Sequence, residues 1–187
     1  SSLSVTAMAS ATKRPDKVCG LHFFNPVHRM PLVEVIRGEH TSDETIASLV
    51  AFAKKVGKTP IVVKDAPGFL VNRILSAYLA EASRILQEGY SIEEIDEALV
   101  QFGMPMGPFN LVDEVGLDVA AKVSHIMIEA FGARMNAGDG LDKLAADKRL
   151  GKKNGKGFYI YLDKEKKVDQ SIYEFLGLNP SGAKLAK

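Results

Sequence analysis

The sequence predicts an α/β segment followed by an all-α domain, and two observations set the change near KDAPGF, residues 64–69. Before that point short apolar runs alternate with a helical pattern, as at the tail end of an α/β sheet. After Pro67 the strand signal nearly vanishes and apolar residues recur at helical spacing. Composition agrees with a soluble globular chain. Of 187 residues, 46% are hydrophobic and 25% charged, with 24 basic against 23 acidic side chains. Such a balance gives no reason to expect a nucleic-acid partner.

Residues 1–65 read in the order helix, strand, strand, helix, strand. KVCGLHFF and PLVEVIRG are short and rich in Val, Ile, Leu and Phe, as buried strands are. TSDETIASLVAFAKKVG places Ile46, Leu49, Val50 and Ala53 at helical spacing, with Ser42 or Asp43 to cap it and Gly57 to end it. TPIVVKD then reads as another buried strand. The first residues, SSLSVTAMASATKRPDK, begin without Met in a helix-compatible run, which reads as a piece of a longer chain.

Residues 66–187 read as helices. FLVNRILSAYLAEASRILQEG carries Leu75, Leu79, Ala82 and Leu86 along one stripe, and Gly89 stops it. SIEEIDEALVQFG opens with Ser91 and Glu94 in capping-box register and closes at Gly103. Pro108 suits the first turn of a helix through NLVDEV, and LDVAAKVSHIMIEAFG is ended by Gly132. LDKLAADKRLG and DQSIYEFLG are shorter helices, with KGFYIYL an extended piece between them. One cysteine, Cys19, no signal peptide and no apolar run of about 18 residues lead to the expectation of a reducing, intracellular compartment without a membrane span.

His22 and Glu34 are ionisable groups inside apolar strands. A buried Glu needs a partner, and two strands joined by the turn at NPVHRMP bring positions 22 and 34 together. A paired Glu fixes the imidazole tautomer and leaves the other ring nitrogen free to take a proton, the arrangement of a general base. The spacing also describes a core histidine satisfied by a carbonyl beside a strand-edge Glu, and by spacing alone that reading carries more weight. Asn72 is the polar member of the stripe 72, 75, 79, 82, 86, and it serves either as a donor to a substrate oxygen or as a satisfied buried amide. GKKNGKGF, residues 151–158, could offer charge and backbone N–H groups to an anion such as a phosphate, or be a solvated basic loop. His28, His40 and His125 fall on turn or surface positions. Asp113, Glu114 and Asp118 read as a solvated helix end rather than a carboxylate pair. No GxGxxG, no GxxxxGK[ST] and no metal-spaced cluster occurs.

HFFNPVHRMPLVEVIRG, GKTPIVVKDAPGFLVNRIL, GMPMGPFNLVDEVGLD and GKKNGKGFY, in that order, resemble the 3-hydroxyacyl-CoA dehydrogenase family along nearly the whole chain. Within the family the likeness is to the dehydrogenase part of a multifunctional bacterial β-oxidation enzyme. The resemblance implies the C-terminal part of a Rossmann-type NAD-binding domain over 1–65, without its Gly-rich motif. It implies a helical substrate and dimerisation domain over 66–187, like the 6-phosphogluconate dehydrogenase C-terminal domain. It makes His22 the catalytic base and Glu34 its partner. Asn72 and Ser1 would bind substrate, while Ser1, Asn25 and Lys153 would touch NAD. It further implies oxidation of L-3-hydroxyacyl-CoA to 3-ketoacyl-CoA, a homodimer, a thiolase subunit in the intact complex, and the bacterial cytoplasm. Residues 1–187 would then be inactive alone. Two alternatives stand beside it, a helical assembly module with idle site residues and a trimmed standalone 3-hydroxybutyryl-CoA dehydrogenase.

Overall fold

A computed structural model describes residues 3–163 and 165–180. The chain divides into two compact units, Ser1–Leu75 and Ser76–Lys187.

The first unit runs α1 (Val5–Ser10), β1 (Gly20–Phe23), β2 (Leu32–Arg37), α2 (Asp43–Lys55) and β3 (Thr59–Lys64), then the first turn of α3 (Val71–Gln87). This is the expected order of elements. The sheet order is β1-β2-β3, with β2 antiparallel to β1 and parallel to β3. The short return at residues 24–31 reverses the chain between β1 and β2. Between β2 and β3 the α2 crossover allows a parallel pair. Ser42 caps α2 by accepting from the Thr45 N–H, with Asp43 and Glu44 in the first turn and Lys54 and Lys55 in the last, each complementing the helix dipole.

As the central strand, β2 is buried on both faces: Val33 and Val35 on one, Glu34 and Ile36 on the other. Ile36 packs with Val5 of α1 and with Phe69. Gly20 permits that approach, because a Cβ there would lie 2.8 Å from Val5 Cγ2 and 2.9 Å from Ile36 Cβ. Asp65, just past β3, fastens α1 by accepting from the Thr6 N–H at 2.7 Å and the Ser4 hydroxyl at 2.8 Å. Partial burial pulls its carboxyl upward, but these bonds outweigh it and hold the group below its ordinary range.

The second unit holds the rest of α3, then α4 (Ile92–Phe102), α5 (Pro108–Val115), α6 (Leu117–Phe131), α7 (Gly140–Ala146), a hairpin of β4 (Tyr159–Leu162) and β5 (Glu165–Val168), and α8 (Ser171–Leu176). The Ser91–Glu94 capping box forms as the spacing predicts. The core gathers Ile92, Ile95, Leu117, Leu144 and Ile172, all fully buried. β4 is the extended piece read in KGFYIYL. Its partner β5, EKKV, buries only Val168 and so carries no alternating pattern to announce a strand.

Two buried carboxylates tie this unit together. Asp96 accepts from Phe109 N at 2.9 Å, Asn110 N at 3.0 Å and the Tyr159 hydroxyl at 2.7 Å, thereby capping α5. Asp113 accepts from Phe158 N and Tyr159 N, each at 2.9 Å, and from the Tyr161 hydroxyl at 3.1 Å. Burial pushes both carboxyls up, against the pull of those bonds. The expectation of a solvated helix end is thus wrong for Asp113, which is completely buried. It holds for Glu114 and Asp118, which stay partly exposed in ion pairs with Lys152 and Lys153.

GKKNGKGF is likewise a structural loop. The N–H groups of Gly151, Lys152, Asn154, Lys156 and Gly157 donate to carbonyls of the chain, leaving little of the anion nest that its glycines suggest. Gly157 is required by contact, since a Cβ there would meet Asp113 Oδ1 at 2.1 Å. We therefore expect Gly157→Ala to destabilise the protein by about 1–3 kcal/mol in denaturant titrations. Gly140→Ala, whose Cβ meets nothing nearer than Leu176 at 3.9 Å, should stay within about 0.5 kcal/mol of the parent. Equal effects would show that the loop does not press on Asp113.

Candidate active site

The antiparallel register of β1 and β2 sets His22 opposite Glu34. Directly opposed side chains share a face of the sheet, so a separation of twelve residues in sequence becomes a contact. His22 Nδ1 lies 2.7 Å from Glu34 Oε2. The Glu34 side chain is fully buried, whereas that of His22 remains 18% exposed.

A carboxylate taken wholly out of water costs several kcal/mol unless its lone pairs are satisfied. Glu34 meets that condition with both oxygens. While Oε2 faces the imidazole, Oε1 accepts from Leu70 N at 2.9 Å and Val71 N at 3.0 Å. Those two amides belong to the start of α3, where helix N–H groups have no partner within the helix. The carboxylate also sits at the positive end of a 17-residue helix. One side chain therefore caps α3 and orients His22.

Because a carboxylate only accepts, Nδ1 of His22 donates to it, and in the neutral ring Nε2 then carries the lone pair. Among the described residues nothing is hydrogen-bonded to Nε2. Phe24 and Phe69 flank the ring edge-on, with centroids 4.9 and 5.5 Å away. What remains is a base with a fixed tautomer, walled by aromatic rings and open on one side.

Asn72 follows Val71 in the first turn of α3, half-buried, two residues beyond the Leu70 amide that Glu34 holds. The stripe below it behaves as read, with Ala82 and Leu86 buried. Asn25 is exposed two residues beyond the end of β1. Lys153 belongs to the second unit, where its Nζ donates to Asp118 Oδ1 at 2.8 Å. That bond holds the Asp118 carboxyl below its ordinary range. Ser1 lies outside the described residues. The first unit thus brings together His22, Glu34 and the helix start that carries Asn72. Sequence reasoning missed the Leu70 and Val71 amides and Phe69. The Pro67-Gly68 pair, a turn signal directly before a helical pattern, was the clue that such donors would be presented there.

With the geometry in place, comparison with known proteins is decisive. Residues 1–66 match the NAD binding domain of 3-hydroxyacyl-CoA dehydrogenase, and residues 68–161 match its C-terminal domain. The chain belongs to the 3-hydroxyacyl-CoA dehydrogenase family. It is 57% identical over 189 residues to the fatty acid oxidation complex subunit alpha of Shewanella amazonensis, covering 100% of this chain and 27% of that relative. The chain thus spans little more than a quarter of the length of such relatives. Among solved structures it resembles (S)-3-hydroxybutyryl-CoA dehydrogenase from Ralstonia eutropha, with TM-score 0.83 and 43% identity over 87% of this chain and 59% of that one. It also resembles 3-hydroxybutyryl-CoA dehydrogenase from Escherichia coli, with TM-score 0.82 and 40% identity over 90% of this chain and 36% of that one.

A family that uses NAD needs a cradle for the pyrophosphate, supplied by free N–H groups at a helix N-terminus after a glycine-rich turn. In the first unit of this dehydrogenase-family chain the helix starts are already occupied. Leu70 N and Val71 N are held by Glu34, Thr6 N by Asp65, Ala7 N by Ser4, and Thr45 N by Ser42. The helix starts of the first unit therefore do not fit the pyrophosphate end of the cofactor. Among them no group of three or more His, Cys, Asp or Glu side chains could hold a metal ion, and no helix is long and apolar enough to cross a membrane.

Replacing Glu34 by Gln tests the orientation directly. The amide oxygen can still accept from Leu70 and Val71, but the amide nitrogen must then donate to His22 Nδ1. Histidine-selective nitrogen-15 spectra should show neutral His22 protonated at Nδ1 in the parent protein and at Nε2 in Glu34→Gln. The same tautomer in both would contradict the pairing.

Proposed function

We propose that the full-length protein is an NAD-dependent L-3-hydroxyacyl-CoA dehydrogenase of fatty acid β-oxidation, with residues 1–65 and 66–187 as parts of its NAD-binding and helical substrate domains. The observation that carries the proposal is the His22–Glu34 contact at 2.7 Å, with the carboxylate buried and the imidazole partly open, in a chain of this family.

His22 serves as the general base. Its Nε2 takes the proton of the substrate's C3 hydroxyl as C3 becomes a carbonyl, and the Glu34 carboxylate stabilises the imidazolium that results. NAD, when bound, would supply the acceptor for the hydride that leaves C3. Asn72, at the start of α3, donates to an oxygen of the substrate and so orients C3 and offsets charge developing on that oxygen. In the reverse direction the imidazolium returns the proton to the 3-keto oxygen. Asn25, Lys153 and Ser1 are assigned to contacts with the cofactor, Ser1 also to the substrate hydroxyl. For Lys153 this means exchanging or sharing its bond to Asp118.

The 57% identity to a fatty acid oxidation complex subunit alpha favours a multifunctional β-oxidation enzyme over a standalone 3-hydroxybutyryl-CoA dehydrogenase. A homodimer through the helical domain, a thiolase subunit as partner, and a place in the bacterial cytoplasm belong to this reading. Since the helix starts of the first unit do not offer a pyrophosphate cradle, residues 1–187 by themselves should turn over little or no substrate.

The test is NADH oxidation with acetoacetyl-CoA by the full-length protein and its variants. His22→Ala and Glu34→Gln should each lower kcat by about 100-fold or more. Rates unchanged in both variants would reject the proposal.

A further inference from the structure

Phe69 occupies an unusual backbone conformation. Its φ is 45°, directly after Gly68 at φ 71°. Glycine enters the left-handed region freely, whereas a bulky side chain is seldom found there. Where such an outlier persists, the surrounding structure must hold it, and such outliers cluster at working sites. The Phe69 N–H donates to Ala66 O at 2.9 Å, closing the turn. The next two amides, Leu70 and Val71, are those that Glu34 accepts.

The same excursion delivers the Phe69 ring to the base. It meets the His22 imidazole edge-on, with centroids 5.5 Å apart and planes at 63°. Phe24 meets it in the same manner at 4.9 Å and 68°. The Phe69 side chain is buried beside Val5 and Ile36, so it has little room to move away. A single hydrogen bond at Nδ1 leaves an imidazole free to swing about the Cβ–Cγ bond and about that contact. Two rings packed edge-on against it leave less room for that swing.

We infer that Phe69, with Phe24, is a positioning residue that brackets His22, so that Nδ1 stays on Glu34 and Nε2 is presented at one fixed point. The inference rests on His22 being the base, as proposed above. Phe69 touches neither hydroxyl nor proton; it acts through the imidazole. Its backbone turn and its ring serve one end, because the residues that aim donors at Glu34 also confine the ring that Glu34 orients.

The test uses the full-length protein with Phe69→Leu, which keeps an apolar side chain and the same backbone demand but removes the ring, and Phe69→Tyr, which restores the ring. Kinetics of acetoacetyl-CoA reduction should show kcat about 10- to 100-fold lower in Phe69→Leu, KM within about twofold of the parent, and recovery of most of the rate in Phe69→Tyr. In parallel, the His22 Nδ1 proton, assigned by its loss in His22→Gln, should exchange with water about tenfold faster in Phe69→Leu. If Phe69→Leu does not fold, Phe24→Leu is measured in its place with the same expectations. An exchange rate and kcat both within twofold of the parent would overturn the bracket. A protein without dehydrogenase activity would instead overturn the proposed function, and the exchange rate alone would then decide the bracket.

Discussion

The buried Glu34 carboxylate is the constraint around which the first unit is organised. Its desolvation is tolerated because three donors converge on two oxygens: an imidazole across the sheet and two amides at the start of α3. Each donor is itself placed by something else. The β1–β2 register places His22, and the left-handed turn at Gly68 and Phe69 places the amides. Removing the carboxylate would therefore strand a helix end and a histidine together, and removing one partner of a buried charge is far more damaging than never having built the pair.

The second unit uses buried carboxylates in a related way, and the contrast shows what sets Glu34 apart. Among the described residues Asp96 and Asp113 accept only from backbone N–H groups and tyrosine hydroxyls, and Tyr159 bridges them by giving its N–H to Asp113 and its hydroxyl to Asp96. Burial and the neighbouring carboxylates push the Tyr159 and Tyr161 hydroxyls far above their ordinary range, so they stay protonated and donate. These contacts lock loops to helices. Glu34 differs in its third partner, an imidazole that can gain and lose a proton and that is still 18% exposed. A proton can enter and leave through that partner, which neither aspartate permits.

Much of this was legible in the sequence, and most of the gaps have a common cause. The helices of both units and the caps at Ser42 and Ser91 follow from local spacing, and the structure realises them. The His22–Glu34 contact was one of two readings that the spacing allowed, and spacing alone favoured a core histidine satisfied by a carbonyl; the resemblance of the surrounding motifs, not the local pattern, singled out the pair. What local pattern could not reveal was long-range: Glu34 bonds to amides 36 and 37 residues on, and Asp113 to amides 45 and 46 residues on. Seen locally, Asp113 is an acidic residue near the end of a helix. Only the loop at 151–159, folding back with two glycines against it, makes it a core residue. Phe69 was hidden for a different reason, since side-chain type argues against the very conformation that its position requires.

One carboxylate, that of Glu34, holds both the start of α3 and the His22 imidazole. Amide hydrogen exchange at Leu70 and Val71 in the full-length protein, compared with Glu34→Ala, tests this most directly. The account predicts strong protection of both amides in the parent and a loss of about 100-fold or more in Glu34→Ala, with β-strand amides such as Val33 and Val35 affected far less. Equal protection of Leu70 and Val71 in the two proteins would mean that α3 does not depend on Glu34, and would contradict the account.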